Sequence, residues 1–235
     1  MKQLIIASTS TLHSGQYLDY LLDILKLHFK NIEDIVFVPY ARPSGITHDE
    51  YTKKAAKAFA KIGITVKGLH EFKNPVEAIT NAKGIFTGGG NTFVLVNALY
   101  KFKLINPLKA AVNNGIPYLG TSAGSNICGL TMCTTNDMPI VYPPSFKTLS
   151  FVPFNINPHY LDPDPSSKHM GETRETRIKE FHKFNTQPVI GLREGSWLEV
   201  KGQSIQLKGE LNARVFEHGS EHYEIETDTF LNELN

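Results

Sequence analysis

The feature that most constrains the fold is the alternation of short apolar runs with longer amphipathic segments over residues 1–121. Apolar runs rich in β-branched residues predict buried strands, and apolar residues spaced three and four apart predict helices. The predicted strands are QLIIAS, DIVFVPYA, ITVKGLH, GIFTG and IPYLG, and the predicted helices are SGQYLDYLLDILKLHF, HDEYTKKAAKAFAKIG, residues 75–82, TFVLVNALYKF and PLKAAVNNG. This order predicts an α/β fold with a mostly parallel sheet and helices on both faces. Functional sites in such sheets form beyond the carboxyl ends of the strands.

The C-terminal half has a different pattern. Residues 137–165 carry seven of the 13 prolines and few helical signals, which predicts long functional loops. From GSWLEVKGQSIQLKGE to ARVFEHGSEHYEIE, apolar and polar residues alternate between glycines, as is typical of antiparallel hairpins. We therefore expect one domain over residues 1–235, with a β-hairpin-rich C-terminal part.

Composition limits the classes of partner. The 235 residues include 24 Lys and Arg and 23 Asp and Glu, a formal net charge of +1. So balanced a charge gives no electrostatic reason to expect nucleic acid or an acidic membrane as a partner, and it favours a small molecule. The N-terminal apolar run is short, and no stretch approaches the roughly 18 apolar residues of a membrane span, so we expect a cytoplasmic protein. Cys128 and Cys133 fit neither a disulfide framework nor a four-ligand zinc site, and we expect buried free thiols.

A serine follows the last predicted strand of the alternating region. GIPYLGTSAGSN places Ser122 between two glycines, in the frame Gly-Thr-Ser-Ala-Gly, immediately before a predicted helix. A strand that ends in Gly-x-Ser-x-Gly and enters a helix turns sharply and exposes the serine hydroxyl. The pattern also occurs in ordinary turns, so Ser122 is a candidate nucleophile that needs a base, an orienting acid and an oxyanion site.

A second glycine cluster, in IFTGGGNTFVLV, also lies between a strand and a helix. Adjacent glycines bring bare backbone N–H groups close to a ligand, either a phosphate or the oxyanion of an acyl-transfer intermediate. The Gly-Lys-Ser/Thr of a phosphate loop and the Gly-x-Gly-x-x-Gly of a dinucleotide site are both missing. Beside a serine turn, an oxyanion site is a better account than a simple tight turn, with Gly89, Gly90 and the amide of Ala123 as donors.

The base must be one of nine histidines. Those at 13, 28, 48 and 70 lie among lysines and acids and are expected at the solvated surface. His159, in FNINPHYLDPD, follows a short apolar run in a proline-fixed loop downstream of the serine. It is therefore the candidate partner of Ser122, although a loop histidine is often only surface.

Six segments together resemble one family. GGGNTF, GTSAGSN, TTNDMPIV, INPHYLD, HMGETRETRIKEF and GLREGSWLEV occur in the order and spacing of the peptidase E group of serine peptidase family S51, over residues 1–220 or so. The resemblance implies an α/β fold akin to glutamine amidotransferase domains and hydrolysis of dipeptides with an N-terminal aspartate, Asp-Xaa. It implies Ser122 as nucleophile and His159 as base, with no metal and no cofactor.

Two assignments stay open: the acid that orients the histidine, and the residue that binds the aspartyl side chain. By resemblance Glu194, in GLREGSW, orients His159, while Asp137, in TTNDMPIV, is the alternative or positions the substrate. Selection of aspartate needs a cation, and Arg174 and Arg177 lie three apart on one face of a predicted helix. The resemblance favours Arg174, whereas an exposed arginine paired with a neighbouring glutamate is the plainer reading of either residue.

Two other functions remain open. A cyanophycinase-like enzyme would hydrolyse β-linked aspartyl substrates, and a non-catalytic protein could bind small anions with the same glycine amides and Arg174. A glutamine amidotransferase-like enzyme would instead carry cysteine where this chain has Ser122. The oligomeric state, monomer or homodimer, is not fixed by the sequence.

Overall fold

The computed structural model describes residues 1–164, 166, 168, 170–232 and 234. Pro165, at the end of the predicted loop region, and His169, in one of the quoted segments, lie outside the described residues. The strands are β1 (Gln3–Ala7), β2 (Asp34–Val38), β3 (Thr65–Gly68), β4 (Ile85–Thr87), β5 (Tyr118–Thr121), β6 (Asn155–Pro158), β7 (Val189–Leu192), β8 (Ser196–Lys201), β9 (Ser204–Gly209), β10 (Ala213–Phe216) and β11 (Tyr223–Ile225). The helices are α1 (Leu22–His28), α2 (His48–Ala60), α3 (Pro75–Thr80), α4 (Thr92–Lys101), α5 (Ile105–Asn113), α6 (Ala123–Asn126) and α7 (Arg174–Phe181).

The strands form two sheets within the described residues. The larger sheet has the order β3-β2-β4-β5-β1-β8-β9. The first five strands are parallel to one another, whereas β8 pairs antiparallel with β1 and β9 pairs antiparallel with β8. The smaller sheet has the order β11-β10-β7-β6, and only β6 and β7 are parallel in it. The predicted α/β fold with a mostly parallel sheet is confirmed, as are the hairpins β8–β9 and β10–β11.

Helices cover both faces of the larger sheet because its strands are apolar on both sides. Along β1, Leu4 and Ile6 pack into one buried cluster with α4 and α5, while Ile5 and Ala7 pack into another with α1 and α2. Burial of both faces is what makes these strands continuous apolar runs. The carboxyl edge of the sheet therefore has an α4 side and an α2 side.

Two predicted elements differ from the structure. The first helix was expected from residue 14 but begins at Leu22, because Ser14 and Leu18 have φ of 60° and 62°, values that no right-handed helix contains. Strand β6 lies inside the predicted loop region. Its Asn155 and Asn157 are buried and donate hydrogen bonds to the loop residues Thr131 and Thr134, so this buried strand is not a continuous apolar run.

Candidate active site

Ser122 stands at a sharp turn between β5 and α6. Its φ of 55° and ψ of −113° are uncommon for a residue with a side chain, and its backbone N–H donates to the Ala7 carbonyl at 3.2 Å. Both flanking glycines are sterically required. A Cβ on Gly120 would lie 2.4 Å from the Gly124 carbonyl oxygen, and one on Gly124 would lie 2.1 Å from that of Thr87. The turn therefore needs both glycines of the Gly-x-Ser-x-Gly frame.

His159 and Glu194 meet because β6 and β7 are parallel neighbours that end together. Pro158 is in register with Leu192, and each side chain follows its strand by one or two residues. The His159 Nε2 atom lies 2.9 Å from Ser122 Oγ, and its Nδ1 atom lies 2.5 Å from Glu194 Oε1. The histidine and glutamate side chains are 36% and 43% exposed, so the three groups line an open cleft.

A buried serine that the sequence did not single out holds His159 in place. Ser8 directly follows β1, and its hydroxyl accepts from the His159 backbone N–H at 2.9 Å and donates to the Leu192 carbonyl at 2.7 Å. Ser8 is fully buried, and His159 has a positive φ of 54°. The only available sequence signal was the position of Ser8 at the carboxyl end of a predicted strand.

The Gly88–Gly90 turn lies against Ser122 because β4 and β5 are parallel neighbours. A Cβ on Gly89 would lie 2.7 Å from Ser122 Cβ, and Gly90 has a φ of 144°. Among the hydrogen bonds of the described residues, the backbone N–H groups of Gly89, Gly90 and Ala123 have no protein acceptor. These three amides are therefore available to a ligand beside the Ser122 hydroxyl.

Asp137 lies at the start of α4 and does not reach His159. Its Oδ2 atom accepts from the backbone N–H and the hydroxyl of Thr92, both at 2.7 Å, and from the Thr135 hydroxyl at 3.0 Å. A carboxylate at a helix N-terminus is favoured by the free N–H groups and the helix dipole. Asp137 also lines the small cavity that contains Ser122 and His159, so it faces the site from the α4 side.

The two arginines have different surroundings. Arg174 is half-buried at the first position of α7; burial and then the nearby Arg177 lower its pKa, against an opposing effect of Asp137. Arg177 is more exposed, and its Nε lies 3.9 Å from the Glu172 carboxylate. Both line a cavity of about 350 Å³. Among the described residues, Arg174 forms no ion pair, and Asp137 is the carboxylate that acts on its pKa.

The predicted exposure of two residues, His28 and Cys133, was wrong. His28 is largely buried, and its Nε2 lies 3.1 Å from the Tyr118 carbonyl oxygen, because the end of α1 packs over β5. Cys133 is exposed, whereas Cys128 is a buried free thiol as expected.

Among the described residues no group of three or more His, Cys, Asp or Glu side chains is arranged to hold a metal ion. Nor does the described part of the chain contain a helix long and apolar enough to cross a membrane.

A serine, a histidine and a carboxylate hydrogen-bonded in this order at the carboxyl edge of an α/β sheet are the arrangement of the serine hydrolases. Comparison with known proteins narrows this class. The family model described as Peptidase family S51 matches residues 4–208. The chain belongs to peptidase family S51 and is a serine-type peptidase.

Individual relatives agree with the family match. The chain is 48% identical to a protein named peptidase E of Streptomyces coelicolor over 231 residues, covering 98% of this chain and 94% of that protein. It is 45% identical to a protein named probable alpha-aspartyl dipeptidase of Drosophila melanogaster, covering 92% and 90% of the two chains. Its fold matches the crystal structure of a peptidase from an acI-B1 actinobacterium with a TM-score of 0.69 at 17% identity, covering 98% and 96%.

Proposed function

We propose that this chain is a serine dipeptidase that hydrolyses dipeptides with an N-terminal aspartate, and that Ser122, His159 and Glu194 are its catalytic residues. The observation that carries the proposal is the chain of hydrogen bonds from Glu194 Oε1 through His159 to Ser122 Oγ, at 2.5 and 2.9 Å. The family match and the names of the relatives support a dipeptidase, and one relative's name supports aspartyl substrates.

Acylation follows from this geometry. Ser122 Oγ forms a bond to the carbonyl carbon of the aspartyl residue, and its proton passes to His159 Nε2. Glu194 accepts from Nδ1–H and stabilises the imidazolium. The same proton then passes to the leaving nitrogen as the C–N bond breaks, which releases the second amino acid and leaves aspartyl-Ser122. A water molecule repeats the sequence, giving its proton to His159 and its oxygen to the acyl carbon, and Ser122 recovers a proton as aspartate leaves.

The oxyanion of each tetrahedral intermediate needs donors that are already in place. The free N–H groups of Gly89, Gly90 and Ala123 surround Ser122 and supply them. Loss of one such donor typically costs about 100- to 1000-fold in rate. A Cβ at position 89 would press on Ser122 at 2.7 Å, which is why this donor must come from a glycine.

Recognition of the aspartyl side chain falls to Arg174. Its guanidinium has no ion pair among the described residues, it is half-buried, and it lies near Asp137, which lines the cavity of Ser122. A planar guanidinium binds a carboxylate with two parallel hydrogen bonds. Arg177 is the second candidate, and Asp137 holds the start of α4 beside the substrate.

The test is release of free aspartate from Asp-Leu. Ser122→Ala should stay folded and lose several orders of magnitude in turnover, because the triad acts as a unit. Ser220→Ala, at an exposed serine, is the matched control and should keep its rate. Wild-type-like turnover in Ser122→Ala would overturn the nucleophile assignment. Wild type that cleaves only the β-linked isomer would instead be cyanophycinase-like, and wild type that cleaves neither isomer would be an anion-binding protein.

Substrate reading is tested with Arg174→Met, which removes the cation and keeps most of the apolar stem. The ratio of kcat/KM for Asp-Leu over Asn-Leu should shrink, since a buried pair that loses one partner costs roughly 3–5 kcal/mol. Arg177→Met is the matched control on the same helix and should keep the ratio. If only the Arg177 variant changes the ratio, Arg177 binds the aspartyl side chain.

A further inference from the structure

Two of the five arginines of this chain have no carboxylate partner among the described residues. Arg193 and Arg214 join a network with Asp162 and Glu224, and Arg177 lies near Glu172. Arg174 and Arg42 remain. A half-buried guanidinium that pairs with no protein carboxylate keeps its N–H donors available, so such a residue is a candidate site for an anionic ligand. Arg174 is the proposed binding residue for the aspartyl side chain, whereas Arg42 has no role in the proposed reaction.

Arg42 is fixed by stacking and not by charge. Its guanidinium carbon lies 5.0 Å from the centre of the Tyr51 ring, and its Nε atom is buried without a hydrogen-bond partner. The carboxylate that lines the same cavity as Arg42 is already engaged, because Glu50 of α2 accepts from the backbone N–H and the hydroxyl of Thr47 at 2.7 and 2.9 Å. Stacking holds the guanidinium plane while leaving its N–H groups to bind a ligand.

Arg42 lies next to the glycine turn, and the cavity beside it shares no lining residue with the cavity of Arg174. The Ala41 carbonyl accepts from Asn91 N–H at 2.7 Å, and a Cβ on Gly90 would lie 2.2 Å from that carbonyl oxygen. The Tyr51 hydroxyl donates to the Gly89 carbonyl at 3.1 Å. Tyr51 belongs to the buried cluster on the α2 side, whereas Asp137 and Arg174 lie on the α4 side.

The space beside Arg42 is open. A cavity of about 450 Å³ is lined by Arg42, the loop over residues 43–48 and Glu50. Arg42 is linked to the glycine turn through Tyr51, and Arg174 is linked to the Ser122 cavity through Asp137. An Asp-Xaa dipeptide carries two carboxylates, the aspartyl side chain on the acyl side and the terminal carboxylate on the leaving side.

Resting on the proposed dipeptidase function, we propose that Arg42 binds the terminal α-carboxylate of the leaving residue. Arg174 and Arg42 then read the two carboxylates of one substrate. A longer peptide has an uncharged peptide group in place of the terminal carboxylate. Arg42 then has no anion to bind, which restricts hydrolysis to dipeptides. The residue is a substrate-binding group of the leaving-residue pocket and takes no part in proton transfer.

The experiment compares kcat/KM for Asp-Leu and for Asp-Leu amide, which lacks the terminal charge. Wild type should prefer the free acid by roughly 10- to 100-fold, the usual value of a hydrogen bond to a charged group. Arg42→Met should bring this ratio close to one. Lys54→Met removes the neighbouring cation, whose Nζ lies 4.9 Å from the Tyr17 ring, and should keep the wild-type ratio. Arg42→Gln repeats the test if Arg42→Met does not fold.

Arg174→Met separates the two carboxylate sites. It should reduce the preference for Asp-Leu over Asn-Leu and leave the preference for the free acid over the amide intact. An unchanged acid-to-amide ratio in both Arg42 variants would overturn the inference while the dipeptidase function stands. Absence of aspartate release from either substrate by wild type would overturn the proposed function, and this inference with it.

Discussion

Both residues that exchange the proton in the proposed reaction have strained backbones. Ser122 and His159 have φ of 55° and 54°, a region that costs a residue with a side chain about 1–3 kcal/mol. Each is held there by a backbone N–H bond, from Ser122 to the Ala7 carbonyl and from His159 to the Ser8 hydroxyl. Both acceptors lie at the carboxyl end of β1, so this one strand end holds the backbones of the two residues.

The two acids considered for the triad should respond differently to loss of charge. In Glu194→Gln, turnover should fall by roughly 100- to 10,000-fold at unchanged thermal stability. The His159 imidazolium then has no counter-charge, and the tautomer with the proton on Nδ1 is no longer favoured. In Asp137→Asn, turnover should fall less, and the free energy of unfolding should fall by about 1 kcal/mol, because the start of α4 loses its anion. Paired kinetics and thermal denaturation measure both effects. A larger loss of turnover in Asp137→Asn would place Asp137, not Glu194, in the triad.

At the scale of the elements, the sequence predicted the part of the site carried by β4 and β5. Both are apolar runs that end in glycine turns, and parallel strands end at one edge, so Gly89 and Ser122 were expected close together. The His159–Glu194 contact could not be derived from apolar patterning. It depends on the pairing of β6 with β7, and β6 is built around buried asparagines whose partners lie in distant loops. The family resemblance supplied Glu194 instead.

The role of Ser8 could not be predicted from the sequence either, because it depends on how the ends of β1, β6 and β7 meet in the fold. Its hydroxyl joins the end of β1 to the residues that follow β6 and to the last residue of β7. A small buried residue at a strand end has no distinguishing pattern in the sequence. In the folded chain it links the sheet that carries Ser122 to the sheet that carries His159 and Glu194.

Ser8→Ala should therefore act on turnover more than on substrate binding. Without the hydroxyl, the His159 backbone loses its acceptor, and we expect kcat to fall roughly 10- to 100-fold while KM changes little. Thr148→Val is the matched control, because the buried Thr148 hydroxyl donates to the Gly129 carbonyl at 2.7 Å in another part of the fold. Both variants should lose stability, but only Ser8→Ala should lose kcat. Equal kcat values in the two variants would reduce Ser8 to a purely structural role.

At the scale of the whole molecule, the active edge depends on helices packed over both faces of the larger sheet. On the α1 and α2 face, the last residue of α1 is His28, whose ring meets that of Phe29 edge to face at 4.7 Å. Its Nε2–H donates to the Tyr118 carbonyl in β5, the strand that leads to Ser122. Burial lowers the pKa of His28 to about 4, against a smaller opposing effect of this hydrogen bond. The neutral ring is thus part of the native packing.

This burial makes the stability of the whole fold depend on pH in a defined window. Between pH 6.5 and about 4 the unfolded chain protonates His28 and the native state does not, so the free energy of unfolding falls as pH falls through this range. A pKa lowered from 6.5 to about 4 corresponds to a loss of about 3 kcal/mol. In His28→Gln the side-chain amide still donates to Tyr118 but does not titrate, so the decline should be shallower by up to that amount. Urea unfolding at pH 7 and pH 4.5 measures the difference, with His13→Gln, at an exposed position, expected to follow wild type. Parallel pH profiles for wild type and His28→Gln would show that His28 protonates in the native state without strain.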